Sequence, residues 1–369
     1  MAVKTDRRNS ALDIVRLFAL FCVISVHFFY NNGFYSTPIA GWRMYTMVII
    51  RNFFMISVPL FLILSGYLMG AKRPNKAYFL GLGKTLLTYI LAAIVCIFYR
   101  IWKKNASYSF LTAIIAITDF TGAQYAWYVE MYIGLYLLIP FLNILYDGLE
   151  NKKQKRTLLL VFVFLTSVPS VVNIFRLGDP GWFAAPIRSS AYHFLLPDWW
   201  TDSYPITYYF LGRYLREFPL KQPRHRKLLS IAALTLATGA FNIYRSLGVN
   251  FVWGVWQGWY GLPNLLLAVL VFDFLAHVDC SGLKPVLRKL LKTGSDLVLG
   301  AYLVSWIFDQ IAYPRLAAAV PDMPMRLPCF LAVVPWVFVC SLALSGAIEL
   351  IAWPIRKGFH CANDYLKVR

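Results

Sequence analysis

Charge is scarce in this chain of 369 residues: Asp, Glu, Lys and Arg make up 14% of it, against 59% hydrophobic and 17% aromatic residues. Soluble domains carry about 25% charged residues, so a water-soluble globule is excluded. Acidic residues are the scarcer sign, 17 against 36 basic ones, which gives a formal net charge of +19. The six cysteines, Cys22, Cys96, Cys280, Cys329, Cys340 and Cys361, lack metal-ligand spacing, and several lie inside apolar runs. They read as packing residues, with neither a disulfide framework nor a metal site. A nucleotide-binding loop and a serine nucleophile elbow are also missing; Ser65-Gly66-Tyr67 and Gly212-Arg213-Tyr214 have the spacing of neither. The basic start, residues 1–10, runs into an apolar stretch too long for a signal peptide, and no small-residue cleavage site follows. The first apolar segment is therefore expected to remain in the protein. No soluble domain, low-complexity tract or separating linker is visible, so residues 1–369 read as a single membrane domain.

What the chain has in abundance is apolar runs near the length that crosses a bilayer. They predict an all-α, polytopic membrane bundle of about ten helices. The spans are expected at 11–31, 46–70, 84–101, 126–146, 157–175, a short one at 205–218, then 228–247, 257–277, 296–314 and 328–354. A further apolar stretch at 107–119 is too short to span and reads as interfacial or re-entrant. Alternate connections hold most of the cations, among them Lys72, Arg73, Lys76, Lys84, Lys152, Lys153, Lys155, Arg156, Arg213, Arg216 and Arg224. The intervening set holds only Arg43, Lys103, Lys104, Arg176, Arg188, Arg315 and Arg326, with Arg100 and Arg245 at span ends. This asymmetry is the positive-inside pattern, so both termini are expected in the cytoplasm. It also accounts for the basic balance without nucleic acid as a partner; membrane lipids are the expected surroundings. The longest external loop, 176–203, carries Trp182, Tyr192, His193, Trp199 and Trp200 among prolines. It reads as an interfacial aromatic belt, or as a lid or platform on which a sugar ring stacks.

The first span is unusual in carrying Asp13, Arg16 and His27. A charge inside a membrane helix is costly and needs a partner or a function. Arg16 and His27 are separated by about three turns, so they share one face and lie roughly 16 Å apart along the axis. Leu20 and Val23 fall between them, which leaves the stripe polar only at its ends. This face reads as the wall of an internal site. An imidazole titrates near neutrality and can take a proton from an attacking hydroxyl. A guanidinium near the cytoplasmic end can hold a phosphate or carboxylate; equally, Arg16 can simply pair with Asp13 one turn earlier. Further in the chain, Arg51, Glu130 and Asp309 lie toward the external ends of their spans. Arg51 can snorkel to the interface or pair with Glu130 across helices.

These residues resemble the membrane-bound acyltransferase-3 family. The segment LDIVRLFALFCVISVH, 12–27, is similar to the family's first helix, with Arg16 and His27 at its Arg–His spacing. VPLFLILSGYLMG (58–70) resembles its second-helix ending, and WYVEMYIGLYLLIP (127–140) its aromatic segment closing in proline. YYFLGRYL (208–215) resembles a short helix with a central glycine, and LVLGAYLVS (297–305) a late helix. Three positions, in two places, depart from the pattern. Gly81 and Lys84 stand where the family often has an Arg-x-x-Arg pair, and Ser305 where a histidine is frequent.

The resemblance implies an O-acyltransferase that moves an acyl group, commonly acetyl, from acyl-CoA to a hydroxyl of a cell-surface glycan or lipid-linked sugar. It implies a multi-pass protein of the plasma (inner) membrane that needs no metal. His27, Arg16 and Glu130 are the expected catalytic residues, with His27 as general base or transient acyl carrier. Arg16, Lys84 and Arg51 are the expected contacts to acetyl-CoA or another acyl-CoA. The alternative class is a transporter or flippase of a lipid-linked or acylated substrate, since such proteins also bury Arg, His and acidic groups. No internal repeat of the kind many transporters carry is evident. A third class is a sensor or assembly partner that keeps the fold without catalysis.

Overall fold

The computed structural model describes residues 8–176 and 193–367, and the side chains of all of these except 356–367. Trp182, Arg188 and Tyr192 of the long external loop lie outside the described residues. The described residues are mostly helical; among them the only β pairing is an isolated parallel bridge between Ile39 and Leu247. Helices α1 (Ser10–Asn31), α2 (Gly41–Phe54) and α3 (Ser57–Met69) are followed by a short α4 (Lys76–Leu80). Then come α5 (Leu82–Lys104), α6 (Phe110–Thr118), α7 (Trp127–Asp147), α8 (Lys152–Thr166) and α9 (Pro169–Val172). The second half holds α10 (Tyr204–Glu217), α11 (Arg224–Ser246), α12 (Leu262–Ala276), α13 (Pro285–Ala319) and α14 (Phe330–Lys367). Among the described residues, 8 helical stretches are long and apolar enough to cross a membrane.

The ten expected spans are all helical. The fifth and sixth correspond to α8 and α10, only 15 and 14 residues long. A bilayer crossing takes about 20 residues. α8 stops because Pro169 has no N–H for the next helical hydrogen bond and its ring crowds the preceding turn. The expected second span is two helices. Pro59 clashes with the carbonyl four residues back, at Met55, so the chain turns there and restarts as α3. The stretch at 107–119 is the short α6, which buries only Ala116 and leaves Phe110, Leu111, Ile114 and Ile115 exposed. That exposure agrees with the interfacial reading.

α1 is the central helix. Its start is capped by Asn9, whose side chain accepts from the Ala11 N–H. Its end is forced by Gly33, whose φ of 78° is a left-handed conformation that side chains disfavour. α1 packs against α2, α3, α12, α13 and α14. α1 and α13 both start at the end of the bundle that carries the basic connections, called the inner end, and run side by side from it.

The sharpest packing is between α3 and α10. A Cβ on Gly66 would overlap the Tyr209 carbonyl, and one on Gly212 would overlap the Ile63 carbonyl. The glycines of SGY and LGR are therefore where two backbones touch. At the inner end Arg213 locks this contact. Its Nη1 donates to the Gly70 carbonyl at 2.5 Å and to Asn143 Oδ1 at 2.7 Å, and its Nη2 pairs with Asp147. Asn143 in turn donates to the Met69 and Lys72 carbonyls, both at 2.9 Å. Gly66→Val or Gly212→Val is expected to abolish the folded protein. Overpacking commonly costs about 1–3 kcal/mol, and here the obstacle is backbone, which cannot swing aside. Gly83→Val is the control, because nothing lies within 4 Å of that Cβ position. The yield of monodisperse protein after detergent extraction checks this; equal yields for all three variants would refute the contact.

Candidate active site

One cavity of about 770 Å³ runs along α1 and brings together residues from both ends of the sequence. Its size lies in the range of roughly 300–1,000 Å³ usual for small-molecule sites. The walls come from α1, the α2–α3 turn, α7, residues 253–259 and α13. Of the first helix, Arg16, Val23, Val26, His27 and Tyr30 face it. Leu20, expected on this wall, instead points into the core, fully buried. The cavity is polar at its two ends and lined between them by Val23, Phe61, Leu64, Tyr128 and Leu299, as the polar-ended stripe predicts.

At the inner end Arg16 Nη1 donates to Ser295 Oγ of α13 at 3.1 Å. Asp13 lies 3.6 Å from the same nitrogen, so the expected ion pair exists. Its hydrogen bonds, however, go elsewhere. Arg8 donates to Asp13 through Nη2 at 2.6 Å and through Nε at 3.0 and 3.1 Å, and also reaches Asp296 at 2.7 Å. Arg8 thus holds the two carboxylates, and Arg16 keeps its face to the cavity. Neither Arg8 nor Asp296 stands out in the sequence; both are ordinary flanking charges until α1 and α13 are brought together.

At the outer end His27 meets Asp309 of α13. Nδ1 of His27 lies 3.4 Å from Asp309 Oδ2, within ion-pairing distance. Asp309 is 0% exposed. Its Oδ2 also accepts from the Tyr125 hydroxyl at 2.8 Å, while Asn31 Nδ2 donates to that hydroxyl at 3.1 Å. The imidazole lies against the Tyr125 ring, centroids 3.8 Å apart. Nδ1 is enclosed on the carboxylate side, so Nε2 is the nitrogen left for the cavity. The sequence marks Asp309 as one polar residue among several; its role as the partner of His27 emerges only from the side-by-side run of α1 and α13. Their two contacts, Arg16–Ser295 and His27–Asp309, lie roughly three turns apart on α1 and four on α13.

The remaining expected site residues are distributed differently. Arg51 lines the cavity, but beside Tyr35 and Trp253 beyond the outer end of α1, far along the chain of contacts from Arg16. It does not pair with Glu130. Glu130 lies on the exposed face of α7, because Tyr128 and Tyr132, one turn apart, occupy the cavity face and a residue midway between them points away. The structure therefore gives Glu130 no place beside His27. Lys84 is exposed and faces a separate pocket of about 150 Å³ with Asp296 and Glu349, next to Thr85, which does reach the main cavity. Among the aromatics of the long loop, Trp199 and Trp200 are 91% and 57% exposed and neither lines the cavity. The aromatic lining comes from Trp127, Trp253 and Trp259 instead. No group of His, Cys, Asp or Glu among the described residues is arranged to hold a metal.

The chain matches the model of the acyltransferase domain family Acyl_transf_3 over residues 9–348. The chain belongs to this family. It is an acyl-transferring membrane enzyme, which sets that class ahead of a transporter. No curated protein and no solved structure matches the chain significantly. Within the family frame, the departures at Gly81 and Ser305 have local explanations. A Cβ on Gly81 would come within 2.8 Å of the Tyr136 hydroxyl and 2.9 Å of the Tyr78 carbonyl. Tyr78 and Tyr136 stack at 4.5 Å and exchange hydrogen bonds with each other's carbonyls, at 2.5 and 2.9 Å, filling that corner. Ser305 is fully buried and donates to the Tyr302 carbonyl at 2.8 Å; it does not face the cavity.

Proposed function

We propose that the protein is an O-acyltransferase of the plasma (inner) membrane that moves an acyl group, acetyl first among them, from acyl-CoA to a hydroxyl of a cell-surface glycan or lipid-linked sugar. The observation that carries this reading is the single cavity joining Arg16 at one end to the His27–Asp309 pair at the other. Acyl-CoA approaches from the inner end with a phosphate on the Arg16 guanidinium, a group suited to bidentate anion contacts. The thioester reaches along the apolar middle toward His27. Nε2 of His27 takes the proton of the acceptor hydroxyl as its oxygen attacks the acyl carbon. The C–S bond then breaks, and the same proton returns to the departing thiolate, giving an ester and free CoA. Asp309 holds the imidazole in place and balances its transient charge, as the buried carboxylate of a catalytic triad does.

The testing experiment is acyl transfer from labelled acetyl-CoA in membranes containing the protein. Label on an extractable glycan or lipid supports the reading; substrate movement across vesicles without any acyl donor would replace it with transport. Within this assay, Arg16→Ala is expected to raise KM for acyl-CoA about tenfold, the worth of a charge-assisted hydrogen bond. Lys84→Ala is expected to change it by less than about fivefold, since an exposed cation contributes little. Unchanged acyl-CoA binding in the Arg16 variant would remove that residue from the donor site.

A further inference from the structure

The outer part of the cavity contains a buried cation that the acyl-donor route does not use. Arg51 is 1% exposed. Its Nε donates to the Tyr35 hydroxyl at 3.0 Å and its Nη1 to Asn52 Oδ1 at 3.3 Å. The guanidinium carbon sits 4.9 Å from the ring centres of both Phe251 and Trp253 and 5.8 Å from that of Tyr35. No carboxylate pairs with it among the described residues, and Nη2 has no hydrogen-bond partner there. Aromatic faces attract a cation but do not neutralise it. A buried charge without a counter-ion is costly, and this one faces a cavity, so an anion arriving through the cavity relieves it.

An independent polar group faces the same space. Gln257 lines the cavity and its Oε1 is buried without a hydrogen-bond partner among the described residues. The amide cannot simply be turned over, because Nε2 already donates to the Val252 carbonyl at 3.0 Å and to Asn242 Oδ1. Both of those partners are acceptors. The free atom is therefore an acceptor awaiting an O–H or N–H donor. Beside it, the indoles of Trp127 and Trp259 stack at 4.5 Å and 19°, and both line the cavity. A guanidinium lacking a carboxylate, a lone amide oxygen and flat aromatic faces together match an acidic sugar.

We propose that this outer part is the acceptor subsite, and that the acceptor is a sugar bearing an anionic group, a carboxylate or a phosphate, held by Arg51. One hydroxyl donates to Gln257 Oε1, an apolar sugar face lies on the tryptophans, and a second hydroxyl is presented to His27. The proposal rests on the acyl-transfer reading for the role of His27, but anion recognition is measured separately from transfer.

The test is ligand-observed saturation-transfer NMR on the full-length protein in detergent, without acyl donor. The probes are glucuronate, its neutral methyl ester, glucose 1-phosphate and glucose. Glucuronate or glucose 1-phosphate is expected to bind at least about tenfold more tightly than its neutral counterpart, as a charge-assisted contact provides. Which of the two anions binds tells carboxylate from phosphate. Arg51→Gln is expected to shrink the preference to near unity, while Arg51→Lys keeps part of it. Equal binding of charged and neutral probes, no binding of either anion, or a preference that survives in Arg51→Gln would each overturn the proposal. The comparison of glucuronate with its ester needs only the unaltered protein, so a variant that fails to fold does not spoil the test. Loss of acyl transfer with anion preference intact would count against the transfer reading alone.

Discussion

Acyl transfer is expected to fall by at least about a hundredfold when His27 is replaced by alanine, the lower end of what a positioned acid–base group contributes. The expectation follows from where the ring sits. Nδ1 is turned to Asp309 and Nε2 to the cavity, so the imidazole is the group on this wall that can both accept and return a proton. The side chain is only partly buried and makes no hydrogen bond that holds two helices together by itself. The variant should therefore extract and migrate as the parent does on size exclusion, while its activity is lost. Labelled acetyl-CoA in membranes reads the activity, and an unchanged rate would take His27 out of the chemistry. The same assay separates a general base from a transient acyl carrier. Rapid quenching of the parent with limiting acyl-CoA leaves hydroxylamine-sensitive label on the protein if the imidazole carries the group, and none if it only moves a proton.

How much of this was legible in the sequence depends on whether a feature is local. The membrane bundle, the N-terminal helix and its Arg16–His27 face follow from hydropathy and period alone, and all are present. The α2–α3 break was hidden because a 25-residue apolar run masks Pro59 in any window average, although a proline inside a helix is a local signal. The brevity of α8 was hidden for the same reason by Pro169. What sequence could not supply was pairing across distance. Asp309 joins His27, and Arg8 reaches Asp296, only because α13 lies beside α1. Arg51 and Glu130 share an outward position along the chain, yet helix rotation sends one into the cavity and the other out. Depth in a membrane is readable from charge counts; rotation about the helix axis is set by packing, and on α7 the tyrosines decide it.

The second large effect is expected at Asp309. Asparagine there keeps the shape and keeps an oxygen for the Tyr125 hydroxyl, but removes the charge opposite His27 Nδ1. In a serine-protease triad the equivalent exchange lowers kcat by about 10⁴ because the histidine is left in the wrong tautomer. Here a fall of about 10²–10³ is expected, since at 3.4 Å the contact is an ion-pair distance and looser than the hydrogen bond of that triad. Asp309 touches neither donor nor acceptor, so it is a positioning residue, and the effect must appear in kcat with KM for acyl-CoA nearly unchanged. Arg16→Ala should do the reverse. A variant Asp309→Asn that raised KM as much as it lowered kcat would mean that the carboxylate merely holds the outer end of the bundle together. The Tyr125→Phe variant sharpens the distinction. It strips one hydrogen bond from Asp309 but leaves the carboxylate facing His27, so about a tenth of the parent kcat is expected to remain, the low end of what one hydrogen bond to a charged group is worth.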